Sequence, residues 1–149
     1  MEPNLNISMM AVVVATVANF IFGAIWYMPL FGKAWATEMK IDMTGPKPPT
    51  SVMVRGMALM VIGNFLMAYV LAHDIAVWNP LTWGHPEWVN HTPMQFTFAA
   101  AFFTWLGFYL PQDLSKMAWE NKSMKLFFIN TGHHFLSLYI TALILIFMS

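Results

Sequence analysis

Four long apolar stretches, separated by polar segments, dominate the pattern of residues along the chain. They cover residues 9–31, 54–73, 94–112 and 126–148. A helix crosses the roughly 30 Å hydrocarbon core of a bilayer in about 20 residues, so each stretch has the length of a membrane span. The first stretch follows no basic residue and exceeds the apolar region of a signal peptide, so we interpret it as a mature span. The pattern predicts an all-α integral membrane protein: a bundle of four transmembrane helices forming a single domain, residues 1–149.

Composition strengthens this interpretation. Hydrophobic residues make up 58% of the chain and charged residues only 9%, whereas a soluble domain carries about 25% charged residues. Too few polar side chains are present to cover a water-exposed surface, so membrane lipids are the expected surroundings. The formal net charge is zero, which argues against a nucleic-acid partner.

The basic residues predict the orientation of the helices. All seven lie either at or between the first two spans or between the last two: Lys33, Lys40, Lys47, Arg55, Lys116, Lys122 and Lys125. Cytoplasmic loops of membrane proteins carry an excess of Lys and Arg. We therefore expect a multi-pass protein of the cell (inner) membrane with both termini on the non-cytoplasmic side.

The two halves of the chain are alike in one motif. The first span ends in Trp-Tyr-Met-Pro at residues 26–29, and the third ends in Phe-Tyr-Leu-Pro at residues 108–111. A Trp and several lysines follow each motif, and the next span carries a central Asn, which is Asn64 or Asn130. Two parallel helical-hairpin repeats would explain this likeness.

The fourth span carries a row of polar residues on one helical face. The spacing i, i+4, i+7, i+11 is occupied by Asn130, His134, Ser137 and Thr141. Polar groups in hydrocarbon need protein partners, so we expect this face to point into the bundle.

Two interpretations of these polar residues stay open. In the first, Asn19, Asn64, Asn130 and a histidine form interhelical hydrogen bonds. In the second, His133 or His134 binds haem or another tetrapyrrole, binds a metal, or relays protons. Neighbouring residues on a helix point about 100° apart, so both rings cannot easily bind one ion. We expect no metal site and no required cofactor, and haem, pigment or quinone binding remains the open alternative.

No pattern in the sequence indicates an enzyme. The chain lacks a phosphate-binding loop, a zinc-protease helix motif and a serine-hydrolase elbow. All acidic residues lie at predicted helix ends or in loops, so we expect no carboxylate buried at mid-span, which weakens the case for an ion-coupled transporter. We also expect no catalytic residue. A methionine stripe on the second span has the ligands that select Cu(I), but methionine also fills irregular apolar space, and we expect packing.

Several motifs resemble a known family. Residues 23–35, Gly-Ala-Ile-Trp-Tyr-Met-Pro-Leu-Phe-Gly-Lys-Ala-Trp, are similar to the end of the first helix in the "domain of unknown function 1761" family. Residues 105–108 and 120–130, which lead into His133 and His134, resemble the second half of that family. The resemblance implies a small bacterial or fungal four-helix membrane protein, and it implies no activity.

Two functions are therefore expected. The first is a non-catalytic accessory or structural subunit of a larger membrane complex, or a homo-oligomer. The alternative is a protein that binds or transports a lipid-soluble small molecule (quinone, haem or pigment) through the polar stripe of the fourth helix.

Overall fold

A computed structural model describes residue 3 and residues 5–85 and 92–148, and its regular structure there is entirely helical. The elements are α1 (Met9–Ile25), a π-helical turn (Trp26–Leu30), α2 (Gly32–Glu38), α3 (Thr50–Trp78), a 3-10 turn (Pro80–Trp83), α4 (Pro93–Thr104), a second π-helical turn (Trp105–Tyr109), α5 (Leu110–Trp119) and α6 (Met124–Phe147). The predicted all-α class is confirmed for this part of the chain.

Three of these helical segments are long and apolar enough to cross a membrane. They are Met9–Leu30, Thr50–Trp78 and Met124–Phe147. The predicted third span, residues 94–112, is instead divided among α4, the second π-helical turn and the beginning of α5. Pro111 explains part of the division, because its ring cannot continue a regular helix. The length criterion thus supports three spans and leaves the predicted count of four unsupported.

Hydroxyl side chains mark where three of the helices begin. Ser8 accepts a hydrogen bond from the amide of Ala11 at the start of α1, and Ser123 accepts one from Leu126 at the start of α6. Before α4, Thr92 and Gln95 form a reciprocal capping box. These side chains satisfy amides that have no partner within the first helical turn.

The core lies where α1, α3 and α6 meet, and α4 packs on the other side of α6. Small residues of α1, including Ala11 and Ala15, are fully buried against Ala68 of α3 and Leu138 of α6. Small side chains let helix backbones approach closely, which favours packing in lipid. The start of α1 and the ends of α3 and α6 share one end of the bundle.

The opposite end of the bundle is formed by α2, α5 and the first turns of α6, and we call it the basic end because Lys116 and Lys122 lie there. Both π-helical turns lead directly into its short helices. Pro29 lies inside the first turn, where its missing N–H interrupts the α-helical pattern. The succession of long helix, π-helical turn, short helix and long helix occurs twice in the chain.

Candidate functional site

Asn19 of α1 holds the second half of the polar row on α6. Its side-chain amide donates a hydrogen bond to the hydroxyl of Thr141, and its carbonyl accepts one of 2.8 Å from the hydroxyl of Ser137. Thr141 also donates to the backbone carbonyl of Ser137 at 2.8 Å. All three side chains are buried. We call these three residues the inner network. It binds α1 to α6 and is closed on itself.

Asp113 contacts the first half of the row. Its Oδ2 lies 2.7 Å from Nδ1 of His134, and its side chain is only 4% exposed, against 26% for His134. Asp113 lies in the first turn of α5, so this contact joins α5 to α6. Asp113 lies at a helix end, as the sequence indicates, and the structure adds that its side chain is buried there. The turn between Trp119 and Met124 folds α5 back along α6 and brings Asp113 beside the histidine.

The carboxylate fixes the state of the imidazole. An ionised carboxylate only accepts hydrogen bonds, so Nδ1 of His134 carries the proton that is donated to Asp113. In a neutral ring, the lone pair then lies on Nε2. The ring of Tyr109, from the second π-helical turn, lies 5.1 Å from that of His134. The arrangement orients the imidazole, with Nδ1 directed at the carboxylate of Asp113 and the ring beside Tyr109.

The first π-helical turn positions the beginning of α6. The hydroxyl of Tyr27 donates to Oδ1 of Asn130 at 2.8 Å, and the indole N–H of Trp26 donates to the carbonyl of Ile129 at 3.1 Å. The second turn adds a bond of 2.9 Å from the indole of Trp105 to the hydroxyl of Thr131. A π-helical turn shifts the side chains that follow it, and such turns are frequent at functional sites. Here both turns aim an aromatic donor at α6.

His133 lies in an aromatic environment and differs from its neighbour. Its ring stacks on Phe22 with centroids 5.3 Å apart and planes 4° apart, and it lies 4.9 Å from the ring of Tyr27. Its Nε2 is buried and has no hydrogen-bond partner among the described residues. A Cβ on Gly23 would lie 3.5 Å from this nitrogen and would meet the end of Met60. The nitrogen thus faces a packed seam between helices.

Asn64 does not make the hydrogen bond that the first interpretation requires. Its Nδ2 is buried without a partner among the described residues. Asn64 follows Met60 by one turn of α3, so its side chain lies on the same helical face. Of the three asparagines in the interpretation, Asn19 and Asn130 are paired across helices and the Asn64 amide is unpaired.

A cavity of about 360 Å³ opens at the basic end, and we call it the basic cavity. Asp113 and Asn130 line it, so the Asp113–His134 pair and the Tyr27–Asn130 pair both reach its wall. Its other charged lining residues are Lys116, Glu120 and Lys122. Apolar side chains, among them Trp35, Met117, Leu126 and Phe127, complete the lining. The volume lies near the lower end of the roughly 300 to 1,000 Å³ of small-molecule pockets.

A second cavity, of about 180 Å³, lies at the other end of the bundle, and its described lining residues include no titratable side chain. Within the described residues, no three His, Asp or Glu side chains form a set that could hold a metal ion. The basic cavity therefore combines the charged and polar groups that a ligand would contact. Of the predicted site residues, Asn130 lines this cavity, and His134 contacts Asp113, which also lines it. His133 lies in the seam between helices instead.

Sequence reasoning overlooked Asp113, Lys116, Glu120 and Lys122 as site residues. One signal could have indicated them: α5 is amphipathic, with Asp113, Lys116 and Glu120 spaced at i, i+3 and i+7 on one face. In the structure this face forms part of the wall of the cavity.

No curated protein and no solved structure matches this chain. One protein family does match, over residues 10–146, and it is described as a protein of unknown function, DUF1761. The match covers both π-helical turns, the inner network and the basic cavity. The chain, with three helices long and apolar enough to cross a membrane, belongs to the DUF1761 family.

Proposed function

We propose that this protein is a non-catalytic integral membrane protein that binds the polar head of a lipid-soluble small molecule in the basic cavity. The observation that carries the proposal is the buried Asp113–His134 pair, whose carboxylate forms part of the cavity wall. Burying a carboxylate is costly unless it is paired, and Asp113 has one side-chain partner, which touches one of its two oxygens. A ligand in the cavity supplies a partner for the second oxygen.

The membrane arrangement is part of this proposal. The helical segment made of α4, the second π-helical turn and α5 serves as a fourth span, lying against α6 and leading to the basic end. The lysines of the basic end face the cytoplasm of the cell membrane by the positive-inside rule. Both termini then lie on the non-cytoplasmic side, since α1 begins and α6 ends at the opposite end of the bundle.

Binding fits the interior better than transport across the bundle. Beyond the inner network, the seam continues through Ala11, Ala68, Leu71 and Leu145, which are all buried. Such an apolar core offers no groups to a polar solute that moves on from the basic cavity. The cavity is thus a site with one entrance, at the cytoplasmic end.

The test of binding is to fill the cavity. Met117 lines it, whereas Leu114 lies on the same short helix, is 44% exposed and does not line it. Wild-type protein, Met117→Trp and Leu114→Trp are purified in mild detergent, and bound small molecules are identified by native mass spectrometry and absorbance. We expect a stoichiometric ligand on wild type and Leu114→Trp and its loss from Met117→Trp. A ligand-free wild type, or a ligand that Met117→Trp retains, contradicts the proposal.

The arrangement in the membrane has its own test. The chain has no cysteine, so single cysteines at Lys47, Lys125 and His85 can be probed in intact cells with a membrane-impermeant thiol reagent. We expect labelling at position 85 only, with all three labelled after the cells are opened. Labelling of position 47 or 125 in intact cells would reverse the orientation.

A second candidate function rests on α3. Of its 29 residues only Ala68, Leu71 and Ala72 are buried. In the most apolar stretch of α3, 11% of the residues are buried, against 33% and 39% in the corresponding stretches of the other two long helices. A large apolar face of α3 is therefore available to an adjacent subunit, as expected of an accessory subunit or a homo-oligomer. Lipid is the competing occupant. Native mass spectrometry of gently solubilised membranes decides: a 17.0 kDa species without a protein partner, in several detergents, rules out this candidate.

A further inference from the structure

The charges that line the basic cavity come in opposite pairs and do not neutralise one another within the protein. Lys116 and Lys122 contribute two positive charges, and Asp113 and Glu120 contribute two negative charges. Within the described part of the chain, neither lysine forms an ion pair with a carboxylate, and Asp113 is paired only with His134. Lys116 and Glu120, at the end of α5, are four residues apart. Side chains at this spacing can pair on a helix, but these two form no ion pair in the described part of the chain.

The four charged side chains also differ in depth. Asp113 is buried, whereas Lys116 and Glu120 are exposed and Lys122 is intermediate. A positive group of the ligand would reach the inner carboxylate, and a negative group would stay near the lysines of the rim. Trp35 and Phe127 line the cavity and are half-buried, so an apolar tail has a surface to follow outward.

We propose that the basic cavity binds a zwitterionic amphiphile whose head carries a primary ammonium and a phosphate, with the ammonium at Asp113 and the phosphate at Lys116 and Lys122. The inference rests on the proposed binding function. A primary ammonium has three N–H donors and can satisfy the free oxygen of Asp113 with a charge-assisted hydrogen bond. A trimethylated ammonium has no N–H and is larger, so the site discriminates between the two heads.

A neutral ring fits less well. A quinone head only accepts hydrogen bonds, so it would meet the lysines and Asn130 and leave the inner carboxylate without its second partner. An anionic head without an ammonium would bring a negative charge toward Asp113. The zwitterion is the class of ligand that satisfies both signs of charge in this cavity.

Lipid nanodiscs provide the test. The protein is reconstituted in discs of phosphatidylglycerol mixed with equal amounts of phosphatidylethanolamine and phosphatidylcholine, and retained lipids are counted by native mass spectrometry after gentle extraction. We expect wild-type protein to retain phosphatidylethanolamine over phosphatidylcholine by about tenfold, the size expected for one charge-assisted hydrogen bond. Asp113→Asn should remove most of this preference, because it keeps the shape of the side chain and removes its charge.

Two further variants control for the charges. Lys116→Gln, at the rim, should weaken retention of both lipids, because both carry a phosphate. Glu38→Gln removes a carboxylate from α2 that does not line the cavity, and it should behave as wild type. A preference unchanged in Asp113→Asn, or lost equally in Glu38→Gln, overturns the assignment of the ammonium to Asp113.

Soluble O-phosphoethanolamine distinguishes a lipid from a free metabolite with the same head. Competition by the soluble compound at millimolar concentration shows that the head alone suffices, and retention of lipid without competition shows that the tail is needed. Both outcomes support the zwitterionic head. If both lipids are retained equally and Met117→Trp displaces both, the head is wrong while the binding function stands. If Met117→Trp leaves lipid retention unchanged, the binding function fails as well.

Discussion

The first and second halves of the polar row on α6 differ in how their hydrogen bonds are completed. In the second half, Ser137 and Thr141 close a network with Asn19 that is buried on every side. In the first half, Asn130 accepts a hydrogen bond from Tyr27 and itself lines an open cavity that carries charged residues, and His134 connects to the same cavity through Asp113. The same residue pattern is thus completed in two different ways. A closed network holds helices together, whereas an incomplete one at a cavity has capacity left for a ligand.

The largest expected loss of stability comes from the buried charge in the first half of the row. His134→Leu leaves the carboxylate of Asp113 buried without its partner, which costs about 3 kcal/mol of stability, at the lower end for buried pairs because His134 is partly exposed. The double variant His134→Leu/Asp113→Leu should recover much of that loss, because no buried charge remains. Thermal unfolding in detergent measures both. A double variant that is less stable than His134→Leu would show that the pair is held by more than its charge.

A smaller loss is expected from the closed half. Asn19→Leu removes two interhelical hydrogen bonds between neutral groups, each worth about 0.6 to 2 kcal/mol in membrane proteins, so we expect a loss of about 2 kcal/mol. Thr16→Val is the matched control on α1: its hydroxyl is buried but bonds only to the carbonyl of Val12 in its own helix. The difference between the two halves also predicts that each folded molecule of Asn19→Leu retains as much ligand as wild type. Loss of ligand from folded Asn19→Leu would break the division into two halves.

The sequence predicted the closed half better than the open half, and the reason is physical. The spacing of Ser137 and Thr141 on α6, and a central Asn19 on α1, indicate an internal face, because polar groups in hydrocarbon must find protein partners. Asp113 follows Gln112 in a polar segment, where exposure to water is the more common outcome. The amphipathic spacing of α5 marks the face that carries Asp113, but the burial of that face depends on the tertiary path of the chain after the second π-helical turn.

The helices show the same division. The long apolar stretches predicted the segment Met9–Leu30 and helix α6 to within two residues at each end, whereas α3 extends four residues before and five residues beyond its predicted span. The third stretch was predicted as one span, because hydropathy does not register the π-helical turn at Trp105–Tyr109, after which a separate helix begins at Leu110. Asn64 is the remaining difference. A polar side chain within the membrane is expected to have a protein partner, and the structure gives the Asn64 amide none among the described residues.

A third prediction tests how the first half is positioned. Tyr27→Phe removes the hydroxyl that donates to Asn130, so we expect a loss of about 1 kcal/mol of stability and a few-fold lower ligand occupancy, since Asn130 lines the cavity. Tyr139→Phe removes a hydroxyl whose described contact is a weak one with the sulfur of Met94 at 4.0 Å, and it should change neither quantity. Equal effects of the two variants would show that the Tyr27 hydroxyl does not position the site.

The smallest expected effect lies at the boundary between the two halves. Gly23 follows Asn19 by one turn of α1 and faces His133, and an added Cβ would meet the end of the Met60 side chain. That contact is with the mobile tip of a methionine, which can turn aside, so Gly23→Ala should cost less than about 1 kcal/mol. Gly56→Ala is the matched control in α3, because nothing lies within 4 Å of its added Cβ; it should be neutral or slightly stabilising, since Ala favours helix over Gly. Gly23→Leu, which a rotation of Met60 cannot accommodate, should separate α1 from α3 and lower the unfolding temperature much further. If Gly23→Ala already destabilises as strongly as Asn19→Leu, the two halves are one rigid unit at this position, and the boundary drawn between them is wrong.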